Sequence, residues 1–253
     1  MVSANRDMLV AIAGVFFLLP GLVAGIVVPP PLLTHGMDQQ QMTDAVMRFY
    51  NGAGPILLVL SLPMLAGYLT LLAMLLDRER PTVGAAIGQA LRLLPSYVVA
   101  QLLTALALSV LWVTVLGGLS MIMPQAIAVL VSLLVMIYPL IRVVLIGPEM
   151  VSQRLLNPIR AIIDGLSRTR GHFVGMLLYF APALTLFVVV YGLVMIFVGV
   201  VLVNVSQGET QRVISEAIGA AMFAVGYTYF TAIVASAYRQ IGPARDTGDA
   251  YTV

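Results

Sequence analysis

Residues 97–147 read YVVAQLLTALALSVLWVTVLGGLSMIMPQAIAVLVSLLVMIYPLIRVVLIG, and Arg142 is the one charged residue among them. The hydrocarbon core of a bilayer takes roughly 20 apolar residues of helix per crossing. The stretch is therefore long enough for two crossings, with a turn expected between Gly117-Gly118 and Pro124-Gln125. The whole chain matches this reading: 60% of its 253 residues are hydrophobic and 9% charged, where soluble domains carry about 25% charged residues. Mean hydropathy is +1.02.

Working outward, four further spans are expected. Met8 to Val28 ends at Pro29-Pro30-Pro31, and Gly54 to Leu76 ends at Asp77-Arg78-Glu79-Arg80-Pro81. Phe173 to Val203 is too long for one upright helix and short for two with a turn, so one tilted helix with a kink at Pro182 is expected. Ala217 to Tyr238 is the last. The six spans then lie at about 8–28, 54–76, 97–116, 126–146, 173–203 and 217–238. The first exceeds the usual 7–15 residue core of a signal peptide and lacks a clean cleavage site, so it reads as a retained span. Residues 1–242 are expected to form a single transmembrane domain, and 243–253 a polar cytoplasmic tail.

All 13 basic residues are arginine. With six spans, Arg6, Arg78, Arg80, Arg92, Arg154, Arg160, Arg168, Arg170, Arg239 and Arg245 share one side, while Arg48 and Arg212 lie opposite. The positive-inside rule makes the first group cytoplasmic, together with both termini.

Three amphipathic helices are expected in the headgroup plane, at about 38–50, 82–94 and 157–168. Asp38 caps the first, and Asn157 followed by Pro158 opens the third. On the third, Ile159, Ile162, Ile163 and Leu166 form the apolar stripe. An offset of 76 aligns Val83 with Ile159, Ala85 with Ala161, Arg92 with Arg168 and Tyr97 with Phe173, which suggests an internal repeat of surface helix plus hairpin. The expected fold class is all-α: a polytopic membrane protein of six transmembrane helices in three hairpins with interfacial helices.

The same counts narrow the chemistry. Net charge of +2 disfavours a nucleic-acid partner. Without Cys or Lys there are no thiolates, Cys-ligated metals or Schiff bases. His35 and His172 fall on opposite sides, and His35 with Asp38 and Asp44 falls short of a convergent metal site. No metal, cofactor or catalytic residue is expected. Glu216 is expected to pair with Arg212 at i, i+4. No second acid is found inside a span, which disfavours ion-coupled transport.

Two basic features remain. Arg154, Arg160, Arg168, Arg170 and His172 cluster between the fourth and fifth spans. They serve either as topology-setting charge or as contacts for anionic headgroups, since arginine meets phosphate through two N–H groups at once. Arg142 lies within the fourth span, where it must snorkel or find a partner, with Glu149 or Asp164 in reach.

The stretch Tyr138 to His172, YPLIRVVLIGPEMVSQRLLNPIRAIIDGLSRTRGH, carries a family resemblance. Tyr138, Arg142, Pro148, Asn157-Pro158, Ala161 and the run Ser167, Thr169, Arg170, Gly171, His172 resemble the membrane domain of bacterial glycerophosphoryl diester phosphodiesterases and related uncharacterised inner-membrane proteins. Leu91 to Pro95 looks similar as well. Gly165 departs from the pattern, where a bulky residue is expected. The resemblance implies a bacterial inner membrane. No segment reads as a phosphodiesterase catalytic domain, so that activity is not expected.

The resulting expectation is a non-enzymatic inner-membrane protein that organises lipid or serves as an assembly or stability factor. Its partners would be anionic membrane lipids and another membrane protein. The alternative is a transporter or channel for a lipid-like or amphipathic substrate.

Overall fold

The computed structural model describes residues 6–28, 36–77, 81–205 and 208–241. The Pro29–Pro31 stop, His35, the Arg78–Arg80 stop and the tail 243–253 lie outside the described residues. Every regular element among the described residues is helical. They are α1 (Arg6–Ala13), a π-helical segment (Gly14–Leu18), α2 (Leu19–Val27), α3 (Gln39–Leu76), α4 (Val83–Ser120), α5 (Gln125–Val143), α6 (Ile146–Ser152), α7 (Pro158–Arg168), α8 (Phe173–Val205) and α9 (Glu209–Ile241). Six stretches are long and apolar enough to cross a membrane: Asp7–Val27, α3, α4, Gln125–Ser152, α8 and α9. The chain is thus an all-α, multi-pass membrane protein.

The surface helices expected at 38–50 and 82–94 are not separate pieces. α3 and α4 each run unbroken for 38 residues, about 57 Å at 1.5 Å per residue. Pro55, Pro63 and Pro95 sit inside them. Proline tends to end a helix in water, but in lipid a broken backbone leaves polar groups with nothing to bond, so a continuous helix tolerates it. Asp38 does open α3: its Oδ1 accepts the Gln41 N–H at 2.7 Å, and Gln41 Oε1 accepts the Asp38 N–H at 3.2 Å. α4 passes through Gly117 and Gly118 and ends at Ser120; α5 begins after Pro124. α7 is a separate helix, with the Asn157 side chain accepting the N–H groups of Ile159 and Arg160.

The chain forms two compact units, Met1–Leu71 with Ala183–Thr231, and Leu72–Pro182 with Ala232–Val253. In the first, Tyr227 gathers rings: Phe17 at 4.7 Å, Phe223 at 5.5 Å and Tyr68 at 6.1 Å between centroids. The π-helical turn carries Phe17 fully into this cluster. Gly67 lets Phe16 lie directly on α3, and Gly226 does the same for Phe187 on α9.

In the second unit α4 packs against α5, α6 and α7. Its buried face is Ala86, Ala90, Leu93, Tyr97, Ala100 and Thr104, at alternating four- and three-residue steps. Small residues at the first two positions admit neighbouring backbones closely. α7 buries Ala161 and Gly165, and Thr169 just beyond its end is buried as well, while the apolar stripe expected to face the membrane is left largely on the outside. Ile159 and Ile163 point outward at 59% and 56% exposure, next to Leu156 at 64%. The physical reason is close approach: a Cβ on Gly165 would stand 3.1 Å from the Ile146 Cα. The bulky residue expected at 165 has no room. Ala161 is buried whereas its offset-76 counterpart Ala85 is exposed.

Candidate functional site

A buried ion pair of the second unit is centred on α6. This short helix is buried from Ile146 to Val151, Glu149 included at 1% exposure. Its end is held to α4 by Gln89, whose Nε2 donates to Val151 O at 3.2 Å. A buried carboxylate is costly unless paired and hydrogen-bonded, and Glu149 is both. Oε2 meets the Arg168 guanidinium in an ion pair and accepts the Tyr238 hydroxyl at 2.9 Å. Oε1 accepts the Gln153 side-chain amide. The Arg168 guanidinium also lies over the Tyr238 ring, 5.0 Å from its centroid. Three helices, α6, α7 and α9, are thereby tied at one carboxylate.

This changes the standing of the basic cluster. Arg168 is an internal partner of Glu149 and its charge is spent there. Arg154, in a left-handed conformation at φ 52° beyond α6, faces Asp77 at 3.6 Å. Arg160 reaches Asp164 at 3.5 Å along α7, with 69% of its side chain exposed. Arg170 and His172 are exposed, and His172 Nδ1 lies 3.2 Å from the Arg170 carbonyl. The structure therefore separates the five: one half-buried against Glu149, two in loose surface pairs, two open.

Arg142 takes neither of its expected carboxylates, because Glu149 and Asp164 are engaged by Arg168 and Arg160. Its Nε donates to Thr169 Oγ1 at 3.1 Å, Nη2 to Leu166 O at 2.5 Å and Nη1 to the Tyr138 hydroxyl at 3.3 Å. All three acceptors are neutral. Among the described residues no carboxylate is within ion-pair distance of this guanidinium. Its position at the last turn of α5 is favourable to a cation, since the free carbonyl ends gather there.

Beside it runs an apolar groove of about 590 Å³, lined by Leu111, Leu134, Val135, Tyr138, Phe173 and Leu177 among others. The Tyr138 and Phe173 rings meet at a tilt of 58° with centroids 5.0 Å apart, and Arg142 lies 5.6 Å from the Tyr138 centroid. One tyrosine thus touches both the groove and the unneutralised cation.

Sequence reasoning named Arg142 and the cluster but missed Glu149 as the partner of Arg168, and the hydroxyl of Tyr238 that joins them. A signal for Glu149 was available: it is the one acid between Glu79 and Asp164, set in an apolar run where a lone charge needs a partner. Among the described residues no group of three or more His, Asp or Glu is placed to hold a metal ion. No family model matches the chain, and no curated protein or solved structure is significantly similar to it.

Proposed function

We propose that this is a non-enzymatic membrane protein that binds anionic phospholipid and orders lipid around itself. The observation that carries the reading is Arg142, a permanent cation whose partners are all neutral, next to an open apolar groove. A phospholipid supplies what both features lack: an acyl chain for the groove and a phosphate for the guanidinium. Arg170 and His172 are open to the same headgroup region. Leu156, Ile159 and Ile163, all outward, suit an α7 that rests on acyl chains. The bias of arginines and the family resemblance support placing this end at the cytoplasmic face of a bacterial inner membrane.

Native mass spectrometry of the protein with phosphatidylglycerol and phosphatidylcholine of matched chains tests the reading. Wild type should retain phosphatidylglycerol preferentially. Arg142→Gln keeps amide donors for Leu166 and Thr169 but removes the charge, and should weaken that preference about tenfold, the effect of losing a charge-assisted hydrogen bond of ~1.5 kcal/mol. Leu134→Trp, which fills the groove, should reduce retention of both lipids. Equal retention of both lipids by wild type overturns the proposal.

A further inference from the structure

We infer that the first unit carries a binding pocket for an organic cation, with the Glu216 carboxylate as its counter-charge. The pocket lies wholly within that unit and is distinct from the lipid groove. It measures about 380 Å³, and Gly21, Met64, Tyr191, Met195, Glu216 and Phe223 are among its lining residues. Small-molecule sites start at about 300 Å³, so the space suits a compact ligand.

Glu216 is the charged group in this lining, and the cation expected to neutralise it is turned elsewhere. Arg212, one helical turn away, sends Nη2 to the carbonyls of Gly25 and Ile26 at 3.1 and 3.2 Å. Those carbonyls belong to the last turn of α2, where free backbone oxygens attract a cation. Among the described residues no Arg or His lies within ion-pair distance of Glu216. The half-buried carboxylate packs against Gly25, where any Cβ would collide with it. The glycine therefore makes room for an acid that the fold leaves without a counter-charge.

The remaining lining selects the class of ligand. Tyr191 and Phe223 present aromatic rings, and rings attract cations as well as apolar groups. Met64 and Met195 supply soft, adaptable surface. An inorganic divalent ion such as calcium takes about six to eight oxygen ligands, and one carboxylate with the side-chain hydroxyls of Ser215 and Tyr191 among the lining residues falls short of that. An anion would be repelled by Glu216. An alkyl- or arylammonium ion satisfies both halves of the lining: its charge meets the carboxylate, and its hydrocarbon meets the rings and methionines.

The test uses the full chain in nanodiscs and two probes of one shape, benzyltrimethylammonium and its uncharged isostere neopentylbenzene, by titration calorimetry. The cation should bind at least about tenfold more tightly than the isostere. Glu216→Gln should lose about that factor, Glu216→Asp should keep most of it, and Gly25→Ala should weaken binding by displacing the carboxylate. Equal binding of the two probes, or no binding of the cation at millimolar concentration, overturns the inference on wild type alone. A folded Glu216→Gln protein that binds the cation as tightly as wild type also overturns it. Loss of lipid preference at Arg142 bears on the other unit and leaves this result unaffected.

Discussion

Arg168 on α7 holds its guanidinium against the carboxylate of Glu149 on α6, and Glu149 Oε2 also accepts the Tyr238 hydroxyl of α9 at 2.9 Å. Glu149 is buried at 1% exposure, and 21% of the Arg168 side chain is exposed. Removing one member of such a pair strands a charge in a low-dielectric surrounding. Arg168→Ala and Glu149→Ala should each cost about 3–5 kcal/mol. The double replacement Arg168→Met with Glu149→Met removes both charges and should recover most of that loss. Tyr238→Phe should cost about 1 kcal/mol, the loss of one hydrogen bond. Thermal unfolding in detergent, followed by circular dichroism, measures all four. Single losses below 1 kcal/mol would show that the pair does not hold α6 in place.

Two glycines pack tightly for different reasons, and second-site changes distinguish them. A Cβ on Gly165 would meet the backbone of Ile146, its N at 3.2 Å and its Cα at 3.1 Å. Gly165→Ala should therefore destabilise by about 1–3 kcal/mol, the usual range for overpacking, and Ile146→Val should not rescue it. A Cβ on Gly226 would instead meet the Phe187 ring. Gly226→Ala should be rescued in large part by Phe187→Leu, which withdraws the obstructing atoms. Rescue at Gly165, or its failure at Gly226, would reverse the assignment of rigid and movable contacts.

Much of this fold is legible in the chain because lipid imposes a simple rule. Every backbone polar group in hydrocarbon must bond within its own helix, so apolar runs of sufficient length become helices. That is why the six spans could be located from residues 97–147 outward. The same rule explains the failure at residues 50–54 and 94–97, where a surface helix and a span were expected as separate elements that α3 and α4 run together. The local signals of Asp38 and Asn157 were readable because a cap acts over three residues. Pairings across the chain were not. Arg142 with Glu149 and Arg212 with Glu216 were drawn from closeness in sequence, whereas Arg168 and the α2 carbonyls are partners that only tertiary packing brings in. On α7 the hydrophobic periodicity picked the outward isoleucines, since a bilayer rewards apolar residues on the outside as well.

Thr104 carries the one buried side-chain polar atom without a hydrogen-bond partner among the described residues. Elsewhere in these helices the hydroxyls of Thr70, Ser109, Thr114 and Thr228 donate to the carbonyl four residues back. A buried hydroxyl with no partner costs about 1–3 kcal/mol in proteins. Thr104→Val keeps the β-branched shape and should stabilise the fold by about 1 kcal/mol. A loss of stability instead would reveal a partner for Oγ1 in the membrane-embedded state, and lipid or water contacts at that position would be sought by cross-linking.

Gly171 closes the turn between α7 and α8 at φ +83°, with nothing within 4 Å of where its Cβ would be. Substitution there acts on the backbone alone, without a clash. The left-handed region costs an L-residue roughly 1–2 kcal/mol, so Gly171→Ala should destabilise by about 1 kcal/mol. Gly88, inside α4, also has open space around it but carries no left-handed φ. Gly88→Ala should stabilise by about 0.5–1 kcal/mol, because alanine loses less freedom on entering a helix. The turn at Gly171 also fixes the open pair Arg170 and His172, whose N–H groups donate to Ser167 and Thr169 at 3.1 and 3.2 Å. Gly171→Ala should therefore lower phosphatidylglycerol retention along with stability, while Gly88→Ala raises stability and leaves retention unchanged. If both variants shift stability as expected and neither touches retention, Arg170 and His172 are surface charge, and Arg142 alone carries the headgroup contact.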